Sequence, residues 1–271
     1  MVKKIIRSRL FLVFICALVL LFIRHFINEK NAYYYPPYKY EEVSFSDSDE
    51  KIFKYTGLSP KGAKDILSQG KISVLKKLNT LYFEKPDIKK EYIFFPTTVQ
   101  ESLNNTSVPL VPLYDGDILI TFNTHTLDWR HGHAAIVTDA ERGIILEHMS
   151  VGNTSVLSRA EKWGSYPAFA VLRYPQEEKA KLAAEYAKEK LIDVPYSIFA
   201  GLWQKDKSKN ETVSSSHCSH IVWQAYKAAG IDIDSNGGRI VTPKDIAKSD
   251  KLRLVQIFGL NPEEFNFKLM K

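Results

Sequence analysis

The sequence predicts an α+β protein in which an antiparallel sheet packs against a helix that carries a cysteine at its start. Three observations lead there. Five short runs with strand patterning follow one another between residues 117 and 174, separated by turn residues and not by helices, which favours antiparallel pairing. From residue 176 onward the apolar spacing changes to that of helices. The reactive side chains divide between the two parts, histidines on strands and Cys218 on a helix, and packing that helix on the sheet brings them together.

With 271 residues, 45% hydrophobic and 25% charged, the chain can bury a core for one principal domain with an extension. Its formal net charge of +6 is concentrated at the amino terminus, where Lys3, Lys4, Arg7, Arg9 and Arg24 precede the first acidic residue, Glu29. The 37 basic residues less these five leave 32 against 31 acidic ones, or +1. A nearly neutral body carries no electrostatic footprint for a nucleic-acid partner.

Those basic residues flank an uncharged apolar run over residues 10–23. The run is short for a spanning helix and has the length of a secretory core, but no small-x-small cleavage site follows it before Arg24 and His25. Residues 1–29 are therefore predicted to be an uncleaved signal anchor. The basic end stays inside and the body is exported to the periplasm or cell surface; cleavage would instead release a secreted form. Cys16 lies within the run and lacks the small residue that precedes a lipidated cysteine. Cys218 is then the one cysteine of the body, which can form no internal disulfide. An exported chain with one unpaired thiol risks oxidation, so the thiol reads as functional.

Residues 30–110 read as a helical extension and linker. The segment Tyr33-Tyr34-Tyr35-Pro36-Pro37-Tyr38 is extended, and its aromatics suit a lipid interface or a packing surface equally. Ser59 caps and Pro60 opens a helix that stops near Gly70. Ile72, Leu75, Leu78 and Leu81 give a second helix over residues 72–83, ended by Pro86. No catalytic motif occurs in this stretch.

The main domain is assigned to residues 111–271. A turn at Asp115-Gly116 leads into a strand over residues 117–122, and residues 133–138, 144–149, 154–158 and 169–174 supply four more. A helix over residues 176–191 offers Ala180, Ala183, Ala184, Ala187 and Leu191 for packing, and the turn Val194-Pro195-Tyr196 follows it. Residues 205–216 form a polar loop. Thr242-Pro243-Lys244-Asp245 has the cap, proline and acid of a helix start, and residues 252–258 make the last strand.

Between loop and last strand lies the stretch with chemistry. Ser214, Ser215 and Ser216 can each cap a helix whose apolar positions are Ile221, Val222, Ala225, Ala228 and Ala229 and whose stop is Gly230. Cys218 falls in its first turn, where unpaired backbone N–H groups and the positive end of the helix dipole favour thiolate over thiol.

A nucleophilic thiol needs an imidazole as partner, and there are seven histidines. His217 and His220 flank the cysteine, but neighbours one and two residues away do not face each other on a helix. His133 opens the small, apolar strand Ala134-Ala135-Ile136-Val137, a rigid mount for a ring. The hairpin after it decides the third member. An odd loop, pairing Thr138 with Ile144, puts Glu147 diagonal to His133 on one face; an even loop puts His148 there, and residues 139–143 fit either.

Gly116-Asp117-Ile118-Leu119-Ile120-Thr121, Gly132-His133-Ala134-Ala135-Ile136-Val137, Glu147, Pro195-Tyr196, Cys218-Ser219 and Val241-Thr242-Pro243-Lys244-Asp245-Ile246, in that order, resemble the YiiX-like branch of the NlpC-type, papain-like cysteine hydrolases. The resemblance covers about residues 112–258. It implies a circularly permuted papain-like fold, with the histidine strand ahead of the Pro-Tyr turn and the cysteine helix. It further implies Cys218 as nucleophile, His133 as base, Glu147 as the residue that orients His133, and Tyr196 lining the site and helping to bind the oxyanion. The implied substrates are amide bonds of cell-wall peptides or related, including lipid-linked, amides. Two positions depart from the family: His217 stands where an aromatic or small residue precedes the cysteine, and His220 where an acid follows the serine.

Three other readings fit the residues, and nothing in the sequence separates the first of them from amide hydrolysis. Permuted papain-like relatives include lipid acyltransferases, so a membrane-associated acyltransferase or deacylase is the second enzyme reading. A metal-binding module would use His217, Cys218, His220 and a loop histidine, His125 or His131, but no Cys-x-x-Cys or His-Glu-x-x-His pattern is present and no metal or cofactor is predicted. A catalytically inactive binding module is the third. Gly-x-Ser-x-Gly and phosphate-loop motifs are lacking too, against a serine hydrolase or nucleotide-binding protein.

Overall fold

Uninterrupted apolar runs such as Ile118-Leu119-Ile120 and Ala134-Ala135-Ile136-Val137 suit strands covered on both faces, and every one of these residues is buried. The computed structural model describes residues 11, 14–16, 19, 32–94, 98–126, 129–201, 213–265 and 267–271. The described elements are α1 (Asp49–Thr56), α2 (Pro60–Ser68), α3 (Ile72–Phe83), β1 (Ile88–Phe94), β2 (Thr98–Leu103), β3 (Ile118–Thr121), β4 (Thr124–Thr126), β5 (Trp129–Arg130), β6 (His133–Asp139), β7 (Ile144–Glu147), β8 (Val156–Arg159), a 3-10 helix (Ala160–Ser165), β9 (Phe169–Arg173), α4 (Glu177–Lys190), α5 (Cys218–Ala228), α6 (Pro243–Ala247), β10 (Arg253–Phe258) and α7 (Pro262–Phe265).

One antiparallel sheet of six strands has the order β10-β9-β3-β6-β7-β8, and a second of four has the order β1-β2-β4-β5. Helices α4 and α5 both pack on β6 and on each other. The alanines of α4 are its buried face, as the spacing predicts, and their small size allows a close approach. At the turn before β3, Gly116 has φ +87° and any Cβ there would lie 2.4 Å from the carbonyl oxygen of Ala180. Only glycine fits. Helix α5 is tied to the same turn, because the Tyr226 hydroxyl donates to the carbonyl oxygen of Gly116 at 2.6 Å.

The helical extension over residues 30–110 needs correcting. The helices at Ser59-Pro60 and residues 72–83 are present, the first capped by Ser59, but the stretch also holds α1 and the hairpin β1–β2. Strand β2 alternates cleanly between half-buried and buried residues, yet one buried position is Glu101, held by Arg130 of β5 at 2.7 Å. A charge on the inward face hides the apolar alternation by which a strand is recognised.

The stretch is also no separate domain, since the chain divides into two units, Met1–Tyr34 and Tyr35–Lys271. Gly57 and Leu58 zip onto the edge strand β10: Ile257 N–H donates to Gly57 at 2.9 Å, and Leu58 bridges Gln256. Pairing there covers an edge that would otherwise expose unpaired backbone groups. A buried ion cluster adds to the join. Arg173 of β9 donates twice to Asp117, at 2.7 Å each, and once to Asp65 of α2 at 3.0 Å, with the Tyr114 ring 3.9 Å beneath its guanidinium. Tyr38, from the Tyr-Pro segment, meets the rings of Tyr55 and Phe83 edge-on at 5.4 and 5.7 Å, so this aromatic serves packing.

Of the anchor expected over residues 1–29, only residues 11, 14–16 and 19 are described, as helix; the rest lies outside the described residues. Among the described residues no helix is long and apolar enough to cross a membrane. Most of the polar loop expected over residues 205–216 likewise lies outside them.

Candidate active site

His133 is the first residue of β6, paired with Thr121 of β3, and is buried at 8% exposure. Strand β7 pairs with β6 so that Ala135 faces Glu147, Ile136 faces Leu146 and Val137 faces Ile145. Glu147 therefore stands diagonal to His133 on the same face, the first of the two arrangements open from the sequence. The route to it differs. The connection is four residues, 140–143, an even loop, and Asp139 pairs with Ile144 in place of Thr138. A bulge at Thr138 adds the extra residue that shifts the register back, which is what a bulge does in an antiparallel pair.

The ring of His133 bonds through Nε2 to Glu147 Oε2 at 3.0 Å. Glu147 is wholly buried, and its second oxygen accepts from Ser158 Oγ of β8 and from Lys162 Nζ of the 3-10 helix. Trp163, the next residue, stacks on His133 with ring centres 5.6 Å apart and planes 20° apart. Ser158, Lys162 and Trp163 were not singled out from sequence. Nothing in Ser158 or in Glu161-Lys162-Trp163-Gly164 marks it locally, because each acts only through the hairpin beside it.

Cys218 is the first residue of α5, buried at 9% exposure. The cap is not a serine: His217 takes that position, and its ring accepts the backbone N–H of His220 through Nδ1 at 3.4 Å. Ser216 is held instead in a short bridge to Tyr196. Burial pushes the Cys218 thiol up, but the His133 and His217 rings outweigh it and hold the thiol well below its ordinary value. For His133 burial pulls downward, while Cys218 and Glu147 raise its pKa to about 9. Glu147, despite its burial, is lowered to about 2 by His133 and Lys162. At neutral pH the three groups are thus thiolate, imidazolium and carboxylate. Since Nε2 is taken by Glu147, Nδ1 is the nitrogen left for the thiolate. His217 lowers the thiol alongside His133, through a side-chain hydrogen bond to Cys218.

Tyr196 is half-buried with its ring edge-on to His148 at 4.8 Å, and burial together with the charge on Cys218 raises its pKa to about 12. The structure thus brings together all four residues singled out from sequence: Cys218, His133, Glu147 and Tyr196. His148 follows the last residue of β7 and bonds the Asn153 carbonyl at 3.4 Å. His125 lies on β4 of the second sheet, near Glu101 at 3.7 Å, and His131 follows β5 and is bonded to Thr126 at 3.2 Å. His220 bonds Ser216 through Nδ1 at 3.1 Å and stacks on Trp223. Among the described residues no group of three or more His, Cys, Asp or Glu could hold a metal ion.

The Glu147 carboxylate has a testable linkage to stability. A lowered pKa means that its contribution is fully present above about pH 4.5 and lost as pH falls through about 2, and it amounts to roughly 3 kcal/mol. Urea unfolding of Glu147→Gln should show a deficit of that order at pH 7 that closes towards pH 2. A constant deficit across this range would mean the loss is one of packing and not of charge.

No family model matches the chain, and no solved structure matches it. The chain is similar to the "Uncharacterized protein YycO" of Bacillus subtilis (strain 168), 31% identical over 135 residues, which are 49% of this chain and 52% of that protein. It thus spans about half the length of the curated relative it matches.

Proposed function

We propose that the protein is a thiol-dependent hydrolase of amide bonds, a cysteine peptidase or amidase of the permuted, YiiX-like NlpC type. The observation that carries this reading is a buried cysteine at a helix start beside an imidazole whose far nitrogen is bonded to a buried carboxylate. That is the relation of nucleophile, base and orienting group found in cysteine hydrolases on several folds.

In this scheme the Cys218 thiolate attacks the amide carbonyl carbon, and the carbonyl π electrons move to oxygen. The backbone N–H of Cys218, one of the helix's unpaired first-turn donors, faces that oxyanion, with Tyr196 as a second donor. The C–N bond then breaks as His133 gives its proton to the leaving amine, which leaves a thioester. Water attacks the thioester while neutral His133 takes its proton, the C–S bond breaks, and the thiolate–imidazolium pair is restored. Glu147, Ser158 and Lys162 hold the ring in place throughout. Cell-wall peptides and related amides are the proposed substrates. The basic and apolar amino-terminal segment would keep the enzyme at the outer face of a membrane.

The test is incubation of the body, residues 35–271, with cell-wall muropeptides and, in parallel, with acylated lipids, comparing wild type with Cys218→Ala. Release of new amino groups from muropeptides by wild type alone supports the reading. Turnover confined to the lipids would make it an acyltransferase or deacylase, and equal activity of Cys218→Ala would remove the thiol from the chemistry.

A further inference from the structure

The Glu147 carboxylate is held from both ends. One oxygen bonds His133 Nε2 at 3.0 Å, and the other accepts from Lys162 Nζ and Ser158 Oγ. Cys218, His133, Glu147 and Lys162 therefore make a row of charges of alternating sign, with the wholly buried carboxylate between two cations.

Lys162 is mounted firmly enough to hold that place. The 3-10 helix that carries it starts where Ala160 N–H donates to the Gly143 carbonyl at 2.8 Å, and farther on the Gly164 carbonyl accepts from Val108 N–H at 2.8 Å. A Cβ at Gly164 would lie 2.5 Å from the Val108 carbonyl oxygen, so the helix approaches that backbone as closely as glycine allows. Trp163 of the same helix stacks on His133. One short element thus supplies the ammonium and covers the imidazole.

The other groups around His133 leave this pair in control of the carboxylate side. Cys218 faces the ring from α5, with His217 acting on the thiol. His148, after β7, is kept neutral by burial, and burial likewise raises the Tyr166 phenol beside Glu147 and keeps it uncharged. A carboxylate bonded to the imidazole alone would spend its whole charge on holding the ring's proton. Shared with an ammonium, it holds that proton less tightly, and the ammonium's own charge repels the imidazolium.

We propose that Lys162 is a positioning residue that sets the proton affinity of His133, its ammonium drawing on the Glu147 carboxylate so that the imidazolium gives up its proton more readily. The inference rests on Cys218 as nucleophile and His133 as its acid and base. A ring that releases its proton readily is a better acid towards a leaving amine, the step that amide cleavage needs most.

The test is a titration of the His133 ring in the full-length protein by NMR of 13C-labelled histidine, with His133→Ala identifying the resonance and thermal unfolding checking every variant. The wild-type midpoint should lie near 9. Lys162→Gln keeps a donor for Glu147 and removes only the charge, and Lys162→Met removes both; each should move the midpoint up by about one pH unit. Lys162→Arg, which keeps the cation, should leave it in place. The Lys162 side chain is 33% exposed, so these replacements leave no sealed cavity. The direction of the shift separates tuning from support. If Lys162 served only to pin Glu147, its loss would free the carboxylate from His133 and the midpoint would fall. A fall or no change in Lys162→Gln overturns the proposal and leaves the nucleophile standing. A wild-type midpoint near the ordinary value of about 6.5, with Cys218 alkylated by iodoacetamide no faster than 2-mercaptoethanol, overturns the nucleophile and the proposal with it.

Discussion

His133→Ala should slow the alkylation of Cys218 by iodoacetamide at pH 6 by about two orders of magnitude. In the wild type, burial alone would drive the thiol up, and the His133 ring is first among the groups that reverse this. Once the ring is removed, His217 alone is left to oppose burial, the thiol rises towards its usual value of about 8.5, and at pH 6 about one part in a hundred or less is thiolate. A less acidic thiol is a better nucleophile as thiolate, which recovers part of the loss and brings the net effect near a hundredfold. The pH course separates this from a loss of structure. Wild type should alkylate at a nearly level rate from pH 6 to 8, where the pair is fully formed, and change as pH rises through about 9, where His133 gives up its proton. The variant should instead rise about tenfold per pH unit over the same range. A level profile in both proteins would show that His133 does not hold the thiolate.

Arg173→Leu should cost about 3–5 kcal/mol of stability, because it leaves Asp65 and Asp117 buried without their shared cation. Both carboxylates are close to fully buried, and Asp117 is already raised by burial even with the guanidinium present. In a unit of this size the loss corresponds to a fall in Tm of about 10 °C or more, measurable by calorimetry or circular dichroism. Replacing Asp65, Asp117 and Arg173 together by apolar residues of similar volume should recover much of it, since a buried ion pair is dearer to break than to replace. If Arg173→Leu unfolds within a degree of wild type, the join between α2 and the large sheet rests on Gly57, Leu58 and β10 instead.

The residues that hold Cys218 and His133 were legible because their local signals are strong. A helix start is encoded by its own few residues, and Thr242-Pro243-Lys244-Asp245 shows this directly, with both hydrogen bonds of its capping box formed. Four strands of the large sheet, β3, β6, β9 and β10, were legible because their apolar runs are continuous, and the expected and observed spans differ by at most one residue at any end. Where a signal was ambiguous the local sequence misled: three serines pointed to a serine cap, and His217 took the position because its ring can reach the N–H of His220.

By itself, then, the sequence determined the α+β class, the helix start that carries Cys218, the strand that carries His133, and the candidacy of Glu147 and Tyr196. Tertiary structure alone decided the rest. The bulge at Thr138 chose Glu147 over His148, because side chains alternate every residue and one inserted residue reverses the face of all that follow. Residues 35–110 joined the large unit, and β1 and β2 became a second sheet, because Glu101 found Arg130 and Asp65 found Arg173 across the chain. Lys162 and Trp163 came to Glu147 and His133 for the same reason. A charge or a ring becomes part of a site through the partner it meets, and that partner is set by pairing between distant strands, on which local sequence is silent.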